Sequence, residues 1–416
     1  MKIYRFMIVV ILLIVCFNCI DTFAFYFNEI WKGHAEKRAI TDLKAIDINK
    51  NGIKELIVIC NYSTPLEKYA LSHETYGYIK LYEWNSSTLV KKWGYPEITI
   101  RPSASVVEVD DQEFLQVGTF SLNVLHYKND KYILEELNKS KKPNWPDERI
   151  FAKGSFAKKS SKDIIVTIYS ENRNYHIRHR EARIPNTIIW TSPVLIKGTG
   201  AVVFGDFNKD GKIELLMESG YWINLEGKDF KINEIKNYKK NEYGTPLPLF
   251  KVVGTSEPGV KYFKSGRTIN KDFDDVFYLE PSPYPYDYGE YLIKAMWKKD
   301  RFEYEKILSA KKNTKSGEFA VFKNFDLVDL DNDGLEEIIV TEASGKFVPT
   351  QDEPGITDYK ENILILKWNT KKYEMVFTSH KFKGNTSLLI DDITGDGKKE
   401  IIVGNEKGEL YIFGQN

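Results

Sequence analysis

The sequence has little cysteine and no excess of either charge, and each shortage excludes classes of protein. Of the three cysteines among its 416 residues, only Cys60 lies beyond the first 24 residues. A mature chain with one cysteine forms no internal disulfide, so a large core, bound metal or both must stabilise it. Lysine plus arginine and aspartate plus glutamate both number 59, so the net charge is zero. We therefore expect no nucleic-acid partner, because no overall field attracts the chain to one.

Long apolar runs are also scarce. The run from Met7 to Phe17 is shorter than the roughly 20 residues that a membrane-spanning helix needs. Lys2 and Arg5 precede it, and Thr22 to Ala24 offer a cleavage site. This pattern predicts a signal peptide over residues 1–24 and an exported protein, secreted, periplasmic or on the cell surface, without a membrane span after cleavage.

Two alternatives for this segment stay open. In the first alternative, the segment is not cleaved and remains as an anchor. In the second, Cys16 or Cys19 is lipid-modified, although the residues before them, Val15 and Asn18, are larger than such processing usually requires.

Four segments of the chain repeat one pattern of oxygen-bearing side chains. They read DINKNGIKEL from Asp47, DFNKDGKIEL from Asp206, DLDNDGLEEI from Asp329 and DITGDGKKEI from Asp392. Each has Asp at position 1, an oxygen ligand at positions 3 and 5, Gly at 6 and Glu at 9. Side chains at 1, 3 and 5 of a tight loop converge on one point, a carbonyl at 7 adds a ligand, and Gly takes the sharp turn. An all-oxygen set of this kind suits Ca²⁺.

The closing ligand distinguishes these loops from an EF-hand, which ends on a bidentate Glu at position 12 between two helices. Here position 12 is Val58, Met217, Val340 or Val403, each inside an apolar run. The loop therefore opens into a buried strand, and Glu at position 9 must close it. The predicted ligands, with position 7 acting through its carbonyl, are Asp47, Asn49, Asn51, Ile53 and Glu55; Asp206, Asn208, Asp210, Lys212 and Glu214; Asp329, Asp331, Asp333, Leu335 and Glu337; Asp392, Thr394, Asp396, Lys398 and Glu400.

Ligand charge predicts an order of affinity among the loops. Loop 329–337 supplies four carboxylates, loops 206–214 and 392–400 three each, and loop 47–55 two. Calcium affinity should follow this order. The alternative interpretation of all four segments is a set of Asx turns, in which Asp and Asn cap their own backbone without metal.

The spacing of the copies predicts the architecture. Successive copies lie 159, 123 and 63 residues apart, counted between their first aspartates, which fits three, two and one units of about 56 residues. Weaker copies follow at Val107, at Ser155 and at Asp274, where only the strand is retained. Five further segments predict outer hairpins: IKLYEWNSSTLV, NVLHYKNDKYIL, WINLEGKDFKI, IKAMWKKDRFEY and ILKWNTKKYEM.

These units predict an all-β fold, a single seven-bladed β-propeller over residues 25–416. The chain ends on a half-unit, ELYIF, and begins with an orphan strand pattern from Phe25 to Trp31. Pairing of the two would close the ring without a long exposed edge.

The loops resemble the FG-GAP (VCBS-like) calcium repeats of integrin α-subunit propellers and of many exported bacterial proteins. The strongest match is VVFGDFNKDGKIELLMESG, in which Phe204 and Gly205 stand for the pair that names the motif. The Gly-Ala-Pro element is replaced here, and blades 2, 3 and 5 lack the ligands. The resemblance implies a seven-bladed propeller with calcium between the first two strands of a blade, and a ligand-binding or adhesive scaffold more than an enzyme.

Two classes of function remain open. The first is a non-catalytic, monomeric binding or surface-interaction protein for a protein or carbohydrate ligand, with Ca²⁺ as the cofactor and no catalytic residues. The second is a calcium-dependent carbohydrate-active enzyme, a polysaccharide lyase or hydrolase, since an acid/base pair of carboxylates from different blades leaves no linear motif. The sequence has no HExxH, no nucleophile elbow and no phosphate loop.

Two other segments are candidates for binding. Pro281 to Tyr291 contains four Tyr and three Pro, which suits a sugar or protein contact or a loop packed on itself. His176 and His179 are three apart in a predicted strand, so their side chains point to opposite faces, which disfavours a two-His metal site.

Overall fold

The computed structural model describes the following residues: 27–35, 39–61, 76–95, 99–100, 104–109, 112–117, 123–136, 149–154, 164–171, 174–181, 188–192, 202–217, 221–224, 231–234, 263–281, 289–298, 301–310, 318–348 and 355–415. The predicted signal peptide and most of the Tyr-rich segment after Pro281 lie outside these residues. Within these ranges the regular structure is entirely β, as the composition and patterning predicted, and no helix is present that could cross a membrane.

The strands form sets of consecutive antiparallel neighbours, which we label units A to G. The first strand, β1 (Phe27–His34), belongs to the last unit. Unit A comprises β2 (Ala39–Ile46), β3 (Glu55–Asn61), β4 (Tyr76–Asn85), β5 (Thr88–Gly94) and the short β6 (Thr99–Ile100), which pairs with β4. Unit B comprises β7 (Ala104–Val109), β8 (Gln112–Val117), β9 (Asn123–Lys128) and β10 (Lys131–Glu136). Unit C comprises β11 (Arg149–Gly154), β12 (Ile164–Glu171), β13 (Asn174–Glu181) and β14 (Ile188–Thr191).

The second half of the chain continues the same order. Unit D comprises β15 (Val202–Gly205), β16 (Glu214–Met217), β17 (Tyr221–Asn224) and β18 (Lys231–Glu234). Unit E comprises β19 (Phe263–Gly266), β20 (Asp275–Pro281), β21 (Gly289–Lys298) and β22 (Arg301–Ser309). Unit F comprises β23 (Glu318–Val328), β24 (Glu337–Val348), β25 (Gly355–Trp368), β26 (Tyr373–Thr378) and the short β27 (Phe382–Lys383), which pairs with β25. Unit G comprises β28 (Thr386–Asp391), β29 (Glu400–Asn405), β30 (Glu409–Gln415) and β1.

The first strands of successive units lie side by side. Strand β2 contacts both β7 and β28, β15 contacts both β11 and β19, and β19 also contacts β23. Sheets that bring their first strands together about a common centre and pack face to face have the arrangement of a β-propeller.

The core lies between neighbouring units. Leu216 of unit D and Phe263 of unit E are fully buried in one apolar cluster, and Leu56 of unit A shares another with Ile402 of unit G. Three more clusters join units E and F, F and G, and A and B. Units A, E, F and G therefore bury both faces of their sheets, which explains the near-continuous apolar runs that follow the loops of units A, F and G.

The ends of the chain meet as the sequence predicted. Strand β1 pairs antiparallel with β30, with Phe27 opposite Gln415 and Gly33 opposite Leu410. The predicted strand is confirmed from Phe27 onward; its first two residues, 25 and 26, lie outside the described ranges. Strand β30 would otherwise be a sheet edge, so β1 covers it.

The five predicted outer hairpins are also confirmed: they are the antiparallel pairs β4–β5, β9–β10, β17–β18, β21–β22 and β25–β26. The weak copy at Val107 is the β7–β8 hairpin, whereas the loop of the copy at Ser155 lies outside the described residues. His176 and His179 lie in β13, as predicted.

The prediction for Asp274 was wrong in one respect. Unit E retains more than the strand there, because β19 pairs with β20 in the register Gly266 opposite Asp275. The intervening loop has the same length as the four predicted calcium loops. Arg267 stands at position 1 in place of the aspartate, so the loop lacks the acidic pattern that identifies the other four.

Candidate metal centres in the hairpin loops

Each of the four predicted loops joins the first strand of a unit to its second strand. In every case the residue before position 1 pairs with the glutamate at position 9: Ile46 with Glu55, Gly205 with Glu214, Val328 with Glu337, and Asp391 with Glu400. The four loops therefore have one length and one register, and all lie at the same end of their strands. This is the hairpin context that the sequence predicted.

In each of the four loops, two residues have positive φ, the left-handed backbone conformation. Position 4 has positive φ in each, at Lys50 (59°), Lys209 (69°), Asn332 (59°) and Gly395 (76°). Position 6 is a glycine at 80° to 87° in each loop. A Cβ at Gly52, Gly211 or Gly397 would meet no atom within 4 Å, so conformation, and not space, requires glycine there.

The first aspartate organises its loop by accepting backbone hydrogen bonds. Asp206 accepts from the amides of Asp210 (3.1 Å) and Gly211 (2.8 Å), and Asp329 accepts from those of Asp333 (3.1 Å) and Gly334 (2.9 Å). Asp47 and Asp392 make the corresponding bonds to Gly52 and Gly397. The Asx turns of the alternative interpretation are thus present.

The closing glutamates are buried charges. Glu55, Glu214, Glu337 and Glu400 are at most 2% exposed, and Oε2 of each accepts the amide of position 2 at 2.8, 3.1, 2.9 and 2.9 Å, respectively. Burial raises the pKa of Glu214, Glu337 and Glu400 to about 7 and also raises the pKa of Glu55. Such a carboxylate is stabilised by a nearby cation.

Three loops bring carboxylates together closely enough to share an ion. One oxygen from each member lies within 4.8 Å of the others in three groups: Asp206, Asp210 and Glu214; Asp329, Asp331 and Asp333; Asp392, Asp396 and Glu400. Calcium–oxygen distances of 2.3–2.6 Å place ligands on opposite sides of the ion about 5 Å apart. The donor set is all oxygen, so these residues fit Ca²⁺.

The loops fall into two groups according to the partner of the second carboxylate oxygen, Oε1, of the closing glutamate. In loops 206–214 and 392–400, Oε1 accepts from the loop's own position 3, Asn208 Nδ2 or Thr394 Oγ1, both at 3.1 Å. In loops 47–55 and 329–337 it accepts from a residue outside the loop: Tyr132 Oη (2.6 Å) and Lys367 Nζ (3.0 Å), respectively. Neither residue belongs to the repeated motif or was among the predicted ligands.

Loop 47–55 is held by its neighbours in unit A and unit B. Asn49 Nδ2 donates to Glu83 Oε2 (3.2 Å) and to Tyr132 Oη (3.3 Å). Glu83 adds a carboxylate that the motif does not contain. Burial, followed by the hydrogen bond to Glu55, raises the pKa of Tyr132, which therefore stays protonated and donates.

Lys367 lies among the carboxylates of loop 329–337. It stands on β25 at the position opposite Glu337, since the next pair in the register is Ile338 with Leu366. Its Nζ bonds Asp331 and lies 3.2 Å from Asp333 Oδ2. Burial acts to lower the pKa of Lys367, but hydrogen bonds to Asp331 and Glu337 outweigh it and raise the pKa above its ordinary value. The ammonium charge is therefore retained.

The loop of unit E carries a cation of its own. Arg267 stands at position 1, and its Nε lies 3.4 Å from Asp274 Oδ1. None of the residues 267–274, all described, has positive φ. This loop therefore has the length of the four predicted calcium loops, without their backbone conformation and without an oxygen ligand at positions 1, 3 and 5, where Arg267, Ile269 and Lys271 stand.

The side chain at position 8 of a loop contacts the loop of a neighbouring unit. Glu336 Oε2 accepts the amide of Arg267 (2.7 Å), and Lys399 Nζ donates to the carbonyl of Asp329 (3.0 Å). Lys54 Nζ reaches Asp391 Oδ1 (2.8 Å), next to the first ligand of unit G. In each pair, position 8 of one loop holds the start of the loop in the preceding unit, so the loops form a connected surface.

The opposite end of units F and G carries two adjoining polar clefts that share Asp358 and Lys360 in their walls. Beneath them the fully buried Glu361 bonds Lys323 Nζ (3.0 Å) and the amide of Thr386 (2.8 Å). These contacts join the two units at the end of the strands away from the predicted calcium loops.

No family model matches the chain, and no curated protein matches it. Solved structures that are similar to it include Sqt1 of Saccharomyces cerevisiae (9% identity, 94% of this chain and 99% of that chain covered, TM-score 0.40). A second is the exotype rhamnogalacturonan lyase YesX (13% identity, 90% and 72% covered, TM-score 0.44). A third is the β-propeller domain of Cps50 (Swd1) of Myceliophteria thermophila (7% identity, 94% and 100% covered, TM-score 0.40).

Proposed function

We propose that this chain is an exported, calcium-stabilised seven-bladed β-propeller that binds a protein or carbohydrate ligand without catalysis. The proposed calcium binding is supported by one observation above all: three carboxylates converge in each of three repeated loops. Like charges at this separation repel one another, and a divalent cation among them removes the repulsion.

Units A to G are the proposed seven blades. Their support is the repetition of one strand order, with β1 completing the last unit beside β30. The single ladder pair between β21 and β23, Gly289 with Phe322, joins units E and F at one point only, so we treat them as two blades.

In this proposal calcium acts on stability. Each ion would bind the folded loop and not the unfolded chain, and at 100 times the dissociation constant such a ligand adds about 2.7 kcal/mol per site. The ion also neutralises a buried glutamate at the start of the second strand. Because Cys60 is the only cysteine beyond the predicted signal peptide, no internal disulfide can stabilise the mature chain instead.

The proposed binding role follows from the same loops. Position 8 contacts join loops of consecutive units, so ions that fix individual loops would also fix the surface they form together. A surface of fixed shape loses less entropy when it binds a partner. We propose this loop surface as the ligand-binding face.

Calcium titration by calorimetry and thermal melting with and without chelator test the proposal. Calcium should raise the melting temperature, and magnesium should do so less, because it prefers stricter octahedral geometry. Asp392→Ala should reduce the stoichiometry. Its matched control is Asp272→Ala, an exposed aspartate in the ligand-free loop of unit E. Melting that is unaffected by chelator would leave the Asx-turn interpretation in its place.

The absence of catalysis needs a separate experiment. Glycan-array binding and product assays on acidic polysaccharides distinguish a binding protein from a lyase or hydrolase. Binding without product supports the proposal. Product formation that requires calcium would establish the enzyme alternative.

A further inference from the structure

In loop 329–337, which has the most carboxylates, three of those carboxylates contact the ammonium of Lys367. Lys367 is not part of the repeated motif; it comes from β25, some thirty residues further along the chain than the loop. Strand register places it opposite Glu337, and its side chain is 22% exposed whereas that of Glu337 is 1% exposed. Its ammonium thus lies between solvent and the buried carboxylate.

The contacts of the ammonium match its donor capacity. A lysine ammonium has three N–H donors, and here it meets three carboxylates: Asp331, Asp333 at 3.2 Å and Glu337 at 3.0 Å. The fourth carboxylate, Asp329, accepts the loop amides instead. A calcium ion 2.3–2.6 Å from the same oxygens would occupy the space that the ammonium fills.

Beside the other three predicted calcium loops, all of them among the described residues, the corresponding position holds no cation. The residue opposite the closing glutamate is Asn224 in unit D. The next pairs in the antiparallel registers, after Leu56 with Tyr82 and Ile401 with Phe413, make it Glu83 in unit A and Gly414 in unit G. Lys367 therefore distinguishes unit F from the three other predicted calcium loops.

We infer that Lys367 is a built-in counter-ion that takes the place of calcium in loop 329–337. This inference rests on the proposed calcium binding of loops 206–214 and 392–400. It reverses the order of affinity that ligand charge alone predicts, because the loop with four carboxylates becomes one that does not require calcium. Unit F would then be folded and rigid whether calcium is present or absent.

The stoichiometry of calcium binding tests the inference. Lys367→Gln removes the charge and leaves three carboxylates without this counter-ion, so the variant should bind one additional calcium ion per chain. Lys367→Arg keeps the charge and should not. The double variant Lys367→Gln with Asp333→Asn should lose the additional ion, which assigns it to this loop. The matched control is Lys372→Gln, a lysine on the loop before β26 of the same unit whose side chain is 71% exposed.

Thermal melting gives a second, independent readout. In chelator, Lys367→Gln should melt below the wild-type protein, because its carboxylates repel one another. In calcium, the difference should shrink or vanish, since the ion replaces the ammonium. Measuring the variant in both conditions also shows that it folds.

The outcomes separate this inference from the proposed function. Equal, non-zero stoichiometry in the wild-type protein and Lys367→Gln overturns the role of Lys367 and leaves calcium binding intact. Loss of an ion by Asp333→Asn in the wild-type background also overturns it, because the loop would then already hold calcium. No calcium bound by either form rejects both proposals.

Discussion

Asp274 and Asp206 are joined by a reciprocal pair of hydrogen bonds. The amide of Asp206 donates to Asp274 Oδ2 (2.8 Å), and the amide of Asp274 donates to the carbonyl of Asp206 (3.0 Å). Asp206 is the first predicted ligand of unit D, whereas Asp274 is position 8 of the unit E loop. A loop that lacks oxygen ligands at positions 1, 3 and 5 thus positions the first predicted ligand of its neighbour.

The first prediction follows from this pair. Asp274→Ala should weaken calcium binding in loop 206–214 by about tenfold, because it removes one hydrogen bond to a charged acceptor, worth about 1.5 kcal/mol. Asp274→Asn keeps an acceptor oxygen and should weaken binding less. Calorimetry on both variants measures the effect. Asp272→Ala, in the same loop, is the control, and an equal loss in the control would show that the effect is general destabilisation.

The second prediction concerns the left-handed glycine of the same loop. Gly211 has φ of 80° with open space around it, so Gly211→Ala should cost about 1 kcal/mol through backbone strain alone. The loss should appear in urea unfolding with and without calcium. Lys212→Ala is the neighbouring control: its proposed ligand is the carbonyl, which the substitution retains. Unchanged stability of Gly211→Ala would mean that the loop relaxes out of the left-handed conformation.

The third prediction is a pH dependence that originates at Asp275. This carboxylate is 3% exposed, and burial raises its pKa to about 6, with Asp274 and Glu305 acting in the same direction and Lys294 and Lys209 against it. The folded state then holds the proton more tightly than the unfolded chain, whose pKa is near 3.8. The contribution to stability is fully present below about pH 3.8 and is lost as the pH rises through about 6.

Asp275→Asn removes this loss. The variant should be more stable than the wild-type protein at pH 8, by at most about 3 kcal/mol, and the difference should disappear toward pH 4. Urea unfolding across this range measures it, in saturating calcium because the proposed ions would hold the loop glutamates in the ionised form. A difference that does not change with pH would show that Asp275 titrates normally.

The sequence alone was enough to predict those features that are local patterns within one repeated segment. The glutamate at position 9, the strand that follows it and the outer hairpins are local patterns, and the structure has them in the predicted register. The pairing of the two chain ends could also be predicted. FNEIW from Phe27 is a strand pattern that precedes the first repeat, and the last repeat ends at ELYIF, one strand short of a full unit.

The residues that were missed depend on pairing between distant segments. Lys367 meets Glu337 only once the third strand is aligned with the second, and Tyr132 meets Glu55 only across two units. Neither contact has a fixed spacing in the sequence. Arg267 was missed for another reason: a cation at position 1 is the opposite of the residue type that the motif search requires.

The last prediction concerns the closure of the sheet in unit G. Deleting residues 1–31 should cause aggregation and lower the melting temperature, whereas deleting residues 1–24 should do neither. Strand β1 pairs with β30 along its length, and Phe27, 6% exposed, packs on Phe377 with ring centroids 5.4 Å apart. Without β1 the donors and acceptors of β30 are unpaired and available to another chain.

A point substitution separates the two contributions of β1. Phe27→Ala removes the apolar contact, worth about 3 kcal/mol for a buried phenylalanine, and keeps the backbone ladder. It should lower the melting temperature without the aggregation that follows loss of the strand. Ile30→Ala is the control, since Ile30 is 43% exposed in the same strand. If both truncations have equal solubility and equal melting temperature, β1 does not close the sheet, and the proposed count of seven blades loses its structural support.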